Sequence, residues 1–150
     1  MTTTTLEFTV IQGHQVASGQ NKETPFLDGT IKLQKPVFKT LGYDISWCFN
    51  GTINAQFDAF NAIELNKHDI ELQHVHWHAG FSAESFQFVN CQLRYEKKTY
   101  RAVVYQPVKE TKIGHIQPLN VLEVLAEPIE NLNYGDRVAL IISADYLVTS

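Results

Sequence analysis

The chain has 150 residues, 44% of them hydrophobic and 19% charged, and its net charge of −4 comes from 12 basic and 16 acidic side chains. That length supports one domain with a real core and no comfortable second one, so a single domain over residues 1–150 is expected. With no basic tract longer than Lys97-Lys98, the composition speaks against a duplex nucleic-acid binder, which needs a concentrated positive face.

The pattern along the chain is mostly of period two, the signature of strands. Leu6 to Ile11 alternates and is rich in β-branched residues. A polar loop from Gln20 to Thr24 follows and is closed by Pro25. Gly29 to Gln34 reads as a short strand. Pro36 to Gly42 carries proline at a first helical position and glycine at its end, which predicts a short helix. Asn50-Gly51 signals a tight turn, and Thr52 to Phe57 reads as the strand after it. Asp69 to Trp77 alternates with one change of phase. Phe86 to Tyr95 and Thr99 to Tyr105 predict two strands around a turn at Glu96-Lys97-Lys98. Val121 to Ala126 and Arg137 to Ser143 are the last strong strands. About eight short strands with little helix predict a mainly β domain, a small closed β-barrel with one short helix.

Neither a basic-then-apolar leader nor an apolar run of membrane-spanning length is visible. Cys48 and Cys91 are far apart and form no CxxC pair. A cytoplasmic domain with reduced cysteines and no membrane partner is therefore expected. There is no Gly-x-Ser-x-Gly elbow, no GxxxxGK[ST] loop and no GxGxxG turn. A nucleophilic triad cannot be argued from these residues, and a P-loop or Rossmann phosphate cradle is absent.

Three places carry possible chemistry. His74, His76 and His78 stand at i, i+2 and i+4, so an extended segment would place them on one face. His76 and His78, with Glu84 and His115, resemble the metal-binding pattern of the cupin barrels. The flanking glycines of that pattern are missing, and Glu84 lies one or two positions too far. A solvated strand face is the competing reading. Glu123 sits in Val121-Leu122-Glu123-Val124-Leu125-Ala126, apolar on both sides. Such a run predicts a strand buried on both faces, where a carboxylate is costly unless paired, hydrogen-bonded or facing a cavity. The alternatives are a site role and a glutamate pointing out at a barrel end. Thr52 and Asn54 share one strand face after a glycine turn. Two neutral oxygens hold Mg²⁺ weakly alone, and adequately when substrate phosphates supply the charge. A plain polar face is the other reading.

Six fragments in order resemble the CTP-dependent riboflavin kinases of archaea, which form a cradle-loop β-barrel. They are His14 to Gly19, Phe38 to Tyr43, Gly51 to Asn54, Pro107 to Thr111, Leu122 to Ala126 and Leu132 to Val138. The resemblance implies a phosphotransferase that takes a small-molecule ligand, riboflavin or FMN among the possibilities. Thr52 and Asn54 would hold Mg²⁺. Thr111 and Glu123 would contact the flavin end, with Glu123 orienting or deprotonating the acceptor hydroxyl. The loop with Ser18, Gly19, Gln20 and Lys22 would cradle the nucleotide. That loop departs from the family, whose version is glycine-rich; here Ser18 to Glu23 keeps one glycine. The loss restricts the backbone conformations a phosphate cradle uses. A non-catalytic flavin- or nucleotide-binding barrel is the alternative this departure favours.

Overall fold

A computed structural model describes residues 2–12, 30–77, 83–108 and 119–150. In chain order the elements are β1 (Thr3–Ile11), α1 (Thr30–Thr40), β2 (Ile53–Gln56), β3 (Ile63–Leu65) and β4 (Ile70–Val75). They continue with β5 (Glu84–Tyr95), β6 (Lys98–Pro107), β7 (Val121–Ala126), β8 (Arg137–Ser143) and, after a 3-10 turn over Ala144–Tyr146, β9 (Leu147–Thr149).

Seven strands form one antiparallel sheet in the order β4-β5-β6-β7-β2-β1-β8. The second half of β5 also pairs with β8, Gln92 opposite Ile141 and Arg94 opposite Ala139. That pairing closes β5, β6, β7, β2, β1 and β8 into a six-stranded barrel. β4 lies outside the ring, paired to the first half of β5. The expected barrel with one helix is the architecture found. Two short strands, β3 and β9, form a separate pair that ties down the C-terminus, with Ile63 opposite Thr149. Among the described residues, no helix is long and apolar enough to cross a membrane.

Alternation fills two cores. Phe8, Val10, Ala55, Phe57, Leu93, Val124 and Leu140 point into the barrel and are buried. The opposite faces of β5, β6 and β7 carry Phe86, Phe88, Val103, Tyr105 and Leu125, which pack under α1 against Ile31 and Phe38. β7 is thus buried on both sides except at the half-buried Glu123, as its apolar run predicts.

Residues 30–34 are helical, and this corrects the strand expected there. Ile31 and Leu33 alternate like a strand, but Ile31, Gln34 and Phe38 are buried at 0%, 2% and 0% exposure. Their spacing of three and four is one helical face. Leu33 is left outside at 37% exposure. Pro36 therefore lies within the helix, on its exposed side, rather than at its start. The helix ends as its Leu-Gly sequence predicts. Gly42 takes φ +95. The Tyr43 N–H donates to the Phe38 carbonyl at 2.9 Å and the Gly42 N–H to that of Lys39 at 3.0 Å, the paired bonds of a Schellman motif. Glu96 and Lys97 take φ 50 and 68, the two positive values of a type I′ hairpin between β5 and β6. Cys48 and Cys91 are both free thiols.

Candidate functional site

The site grows from the register of the barrel. Ile11 stands opposite Asn54 and Asn54 opposite Glu123. Glu123 stands opposite Tyr105, and Tyr105 opposite Phe88. One cross-strand row therefore runs over β1, β2, β7, β6 and β5. It lies on the outer surface, because Ala55, Val124 and Val104 fill the inner one. An amide, a carboxylate and a phenol become direct neighbours there, although 69 or so residues separate Asn54 from Glu123 in the chain; ladder partners carry Cβ atoms about 4.5–5.5 Å apart.

Thr52 joins them from the segment before β2 and donates its hydroxyl to Glu123 Oε1 at 3.4 Å. Asn54 is buried at 7% exposure, and Glu123 is half-buried. Three of the residues expected to act together, Thr52, Asn54 and Glu123, thus converge. Ser18, Gly19, Gln20, Lys22 and Thr111 lie outside the described residues.

On the far side of Glu123, the buried Tyr105 donates its hydroxyl to Gln34 Oε1 at 2.7 Å. Burial pushes the Tyr105 phenol well above its ordinary pKa, and the nearby Glu123 and Glu84 carboxylates push it further; the hydrogen bond to Gln34 acts the other way. Tyr105 is a neutral donor at any physiological pH. Phe86 and Phe88 meet its ring edge-on, with centroids 5.7 and 6.0 Å away. Phe38 of α1 meets both of those rings in turn, at 5.0 and 5.6 Å. The helix is therefore clamped over one end of the row by an aromatic cluster.

At the other end, Thr52 and Asn54 border a cleft of about 410 Å³, within the range of small-molecule sites. Ile11, Ile129 and Leu132 supply apolar wall, and Phe49 and Tyr134 stand at its rim. These last two are 58% and 54% exposed. Among the described lining residues, Glu127 is the single charged one. Its Oε1 accepts the Arg101 N–H at 2.7 Å. Arg101 itself lies over the Trp47 ring, 4.1 Å from its centroid.

The histidine reading meets a different geometry. The strand ends at Val75, and the register shifts between Leu72 and Val75. His74 sits in left-handed backbone at φ 53, with its N–H donating to Ser85 Oγ at 3.2 Å. The extended face expected over these histidines is broken by this bulge. His76 is exposed beyond the strand, while Glu84 is 3% exposed at the start of β5. His78 and His115 lie outside the described residues. Among the described residues, no group of three or more His, Cys, Asp and Glu side chains is placed to hold a metal ion. A metal at Thr52 and Asn54 would rest on neutral oxygens and on whatever charge a ligand brings.

Tyr105, opposite Glu123, and its partner Gln34 are residues that sequence reading missed. Tyr105 acquires meaning only through the β6–β7 register. Gln34 did leave a signal: a polar residue at helical spacing between Ile31 and Phe38, on an otherwise apolar stripe. No protein-family model matches the chain, and no curated protein matches it either.

Proposed function

We propose that this barrel is a Mg²⁺-dependent phosphotransferase for a small hydroxylated ligand, similar in kind to the riboflavin kinases, with the phosphate donor open among nucleoside triphosphates. The observation that carries the reading is the convergence of Thr52, Asn54 and Glu123 beside a ligand-sized cleft. Phosphoryl transfer asks little of a protein beyond positioning and charge neutralisation. Glu123 would accept the proton of the acceptor hydroxyl as that oxygen attacks the terminal phosphorus and the nucleoside diphosphate leaves. Thr52 and Asn54 would hold Mg²⁺ through their neutral oxygens. A bound Mg²⁺ would neutralise phosphate charge, which the described walls of the cleft do not do, since Glu127 is acidic. The rim aromatics Phe49 and Tyr134 suit a flat ring.

The test is a phosphorylation assay with riboflavin and Mg²⁺ against CTP, ATP and GTP. Turnover that Glu123→Gln abolishes is expected. Failure of every donor in folded wild-type protein sinks the kinase reading. One observation favours a second reading, a binding barrel without catalysis: Ser18 to Glu23 retains a single glycine where a phosphate cradle needs several. Calorimetry with riboflavin, FMN, CDP and CTP separates the two. FMN binding without turnover supports the binding barrel.

A further inference from the structure

We propose that the cleft bordered by Thr52 and Asn54 takes the ring of a flat organic cation, and that Glu127 is the residue that selects for its charge. Ile129 and Leu132 supply apolar wall for a planar ring, in a space of about 410 Å³. Phe49 and Tyr134 line the same cleft and are more than half exposed. The negative face of an aromatic ring attracts a cation. Among the described lining residues, the Glu127 carboxylate is the single charge. An anionic ligand meets repulsion from it, and a cation attraction. Two basic side chains on neighbouring segments serve other partners. The Arg101 guanidinium lies over the Trp47 ring, 4.1 Å from its centroid, and the Lys35 ammonium donates to the Cys48 carbonyl. Neither lines the cleft.

The walls are fixed without a ligand. The Glu127 N–H donates to the Arg101 carbonyl at 3.1 Å, and Glu127 Oε1 accepts the Arg101 N–H at 2.7 Å. The carboxylate is thereby held at the end of the β6–β7 ladder. The Phe49 N–H donates to the Ala126 carbonyl at 2.8 Å. Past Glu127, the loop to β8 closes on Asp136. Its Oδ2 accepts the Tyr95 hydroxyl at 2.7 Å and the Asn133 N–H at 2.9 Å. The Gly135 N–H donates to the Val10 carbonyl at 2.7 Å and ties the loop to β1. A wall already ordered spares the ligand the cost of ordering it, and it keeps the acid in place among the apolar contacts.

That this ligand is also the phosphoryl acceptor rests on the phosphotransferase reading; its charge class does not, so the test uses neither Mg²⁺ nor nucleotide. Calorimetry at pH 8 compares three ligands of one ring shape: N-methylacridinium, a cation; acridine, neutral at that pH; and acridine-9-carboxylate, an anion. The cation is expected to bind about 10-fold tighter than the neutral ring, and the anion most weakly. In Glu127→Gln the side-chain amide oxygen can still accept the Arg101 N–H, so the wall keeps its shape. That variant should bind the cation about 5- to 10-fold more weakly and acridine as before. Glu130→Gln removes the same unit of charge from an exposed neighbour that does not line the cleft, and should leave all three affinities unchanged. The proposal is overturned if the anion binds as tightly as the cation, or if Glu127→Gln leaves the preference for the cation intact. It is also overturned if Glu130→Gln erodes that preference equally, or if none of the three binds folded protein. Each of these results leaves phosphotransfer to be decided by turnover, and an absence of turnover leaves the charge preference standing.

Discussion

Phe38→Ala is expected to undock α1 from the barrel. The Phe38 side chain is fully buried and makes edge contacts with both Phe86 and Phe88. Truncating a buried phenylalanine costs about 3–5 kcal/mol. The two aromatic pairs, each worth ~0.5–1.5 kcal/mol beyond area burial, place this site in the upper half of that range. Pro36 weakens the helix from within, since an interior proline removes a backbone hydrogen bond. α1 therefore depends on tertiary packing, and Phe38 is its deepest anchor. Urea unfolding followed by circular dichroism measures the loss. For a chain of this size about 4 kcal/mol corresponds to a fall in Tm of roughly 8–16 °C. If the helix leaves while the barrel stays closed, the unfolding slope also drops, because less surface remains to be exposed. A loss below about 1 kcal/mol with an unchanged slope would refute the account, since the helix would then be held by something other than this cluster.

Four further outcomes follow from the same geometry. Asn54→Ala should weaken Mg²⁺-dependent nucleotide binding by roughly 10- to 100-fold, the equivalent of losing a charge-linked contact of ~1.5–3 kcal/mol, and calorimetry reads it directly. Gly42→Ala should cost about 1–2 kcal/mol through backbone strain alone, because φ is +95 and nothing lies within 4 Å of the added carbon; Gly42→Asn should cost less. Asp136 is held below its ordinary pKa near 3.8 by the hydroxyl of Tyr95 and by the Asn133 N–H. A lowered folded pKa stabilises above the unfolded value and is lost as pH falls through the folded one, so Tyr95→Phe should be less stable than wild type at pH 7 and the gap should narrow in acid denaturation below pH 4. Removing residues 147–150 deletes β9, and amide exchange over residues 61–65 should then speed up, because Asn61 and Ala62 donate their N–H groups to the Ser150 carbonyl and, among the described residues, the strand partner of β3 is β9.

The barrel strands are legible because one inner face must be apolar at every second residue. Leu6, Phe8 and Val10 announce β1 in this way, and Val121 to Ala126 announces a strand with cores on both sides. What periodicity does not reveal is partnership. β3 and β9 have three residues each, too short to show a period, and they exist because each satisfies the other. Residues 30–34 misled because Ile31 and Leu33 alternate over a span too short to separate two residues per repeat from 3.6. Pro36 added to this by resembling a helix start. The left-handed turn at His74 arises from the β4–β5 register and leaves no local mark in the sequence. Thr52, Asn54 and Glu123 could be singled out as residue types in unusual places. Their juxtaposition, and the part played by Tyr105, required the order in which β2, β7 and β6 lie side by side.

β5 has three strand partners, β4, β6 and β8. Phe86 and Phe88 answer to the core beneath the helix, and Val89 and Leu93 to the core inside the ring. A slip of one residue would send each set to the wrong side. The strand is thus proofread twice along its length, once by the helix and once by barrel closure. A one-residue slip fails both, so the row bearing Glu123 and Tyr105 is aligned only in the register that also fills both cores.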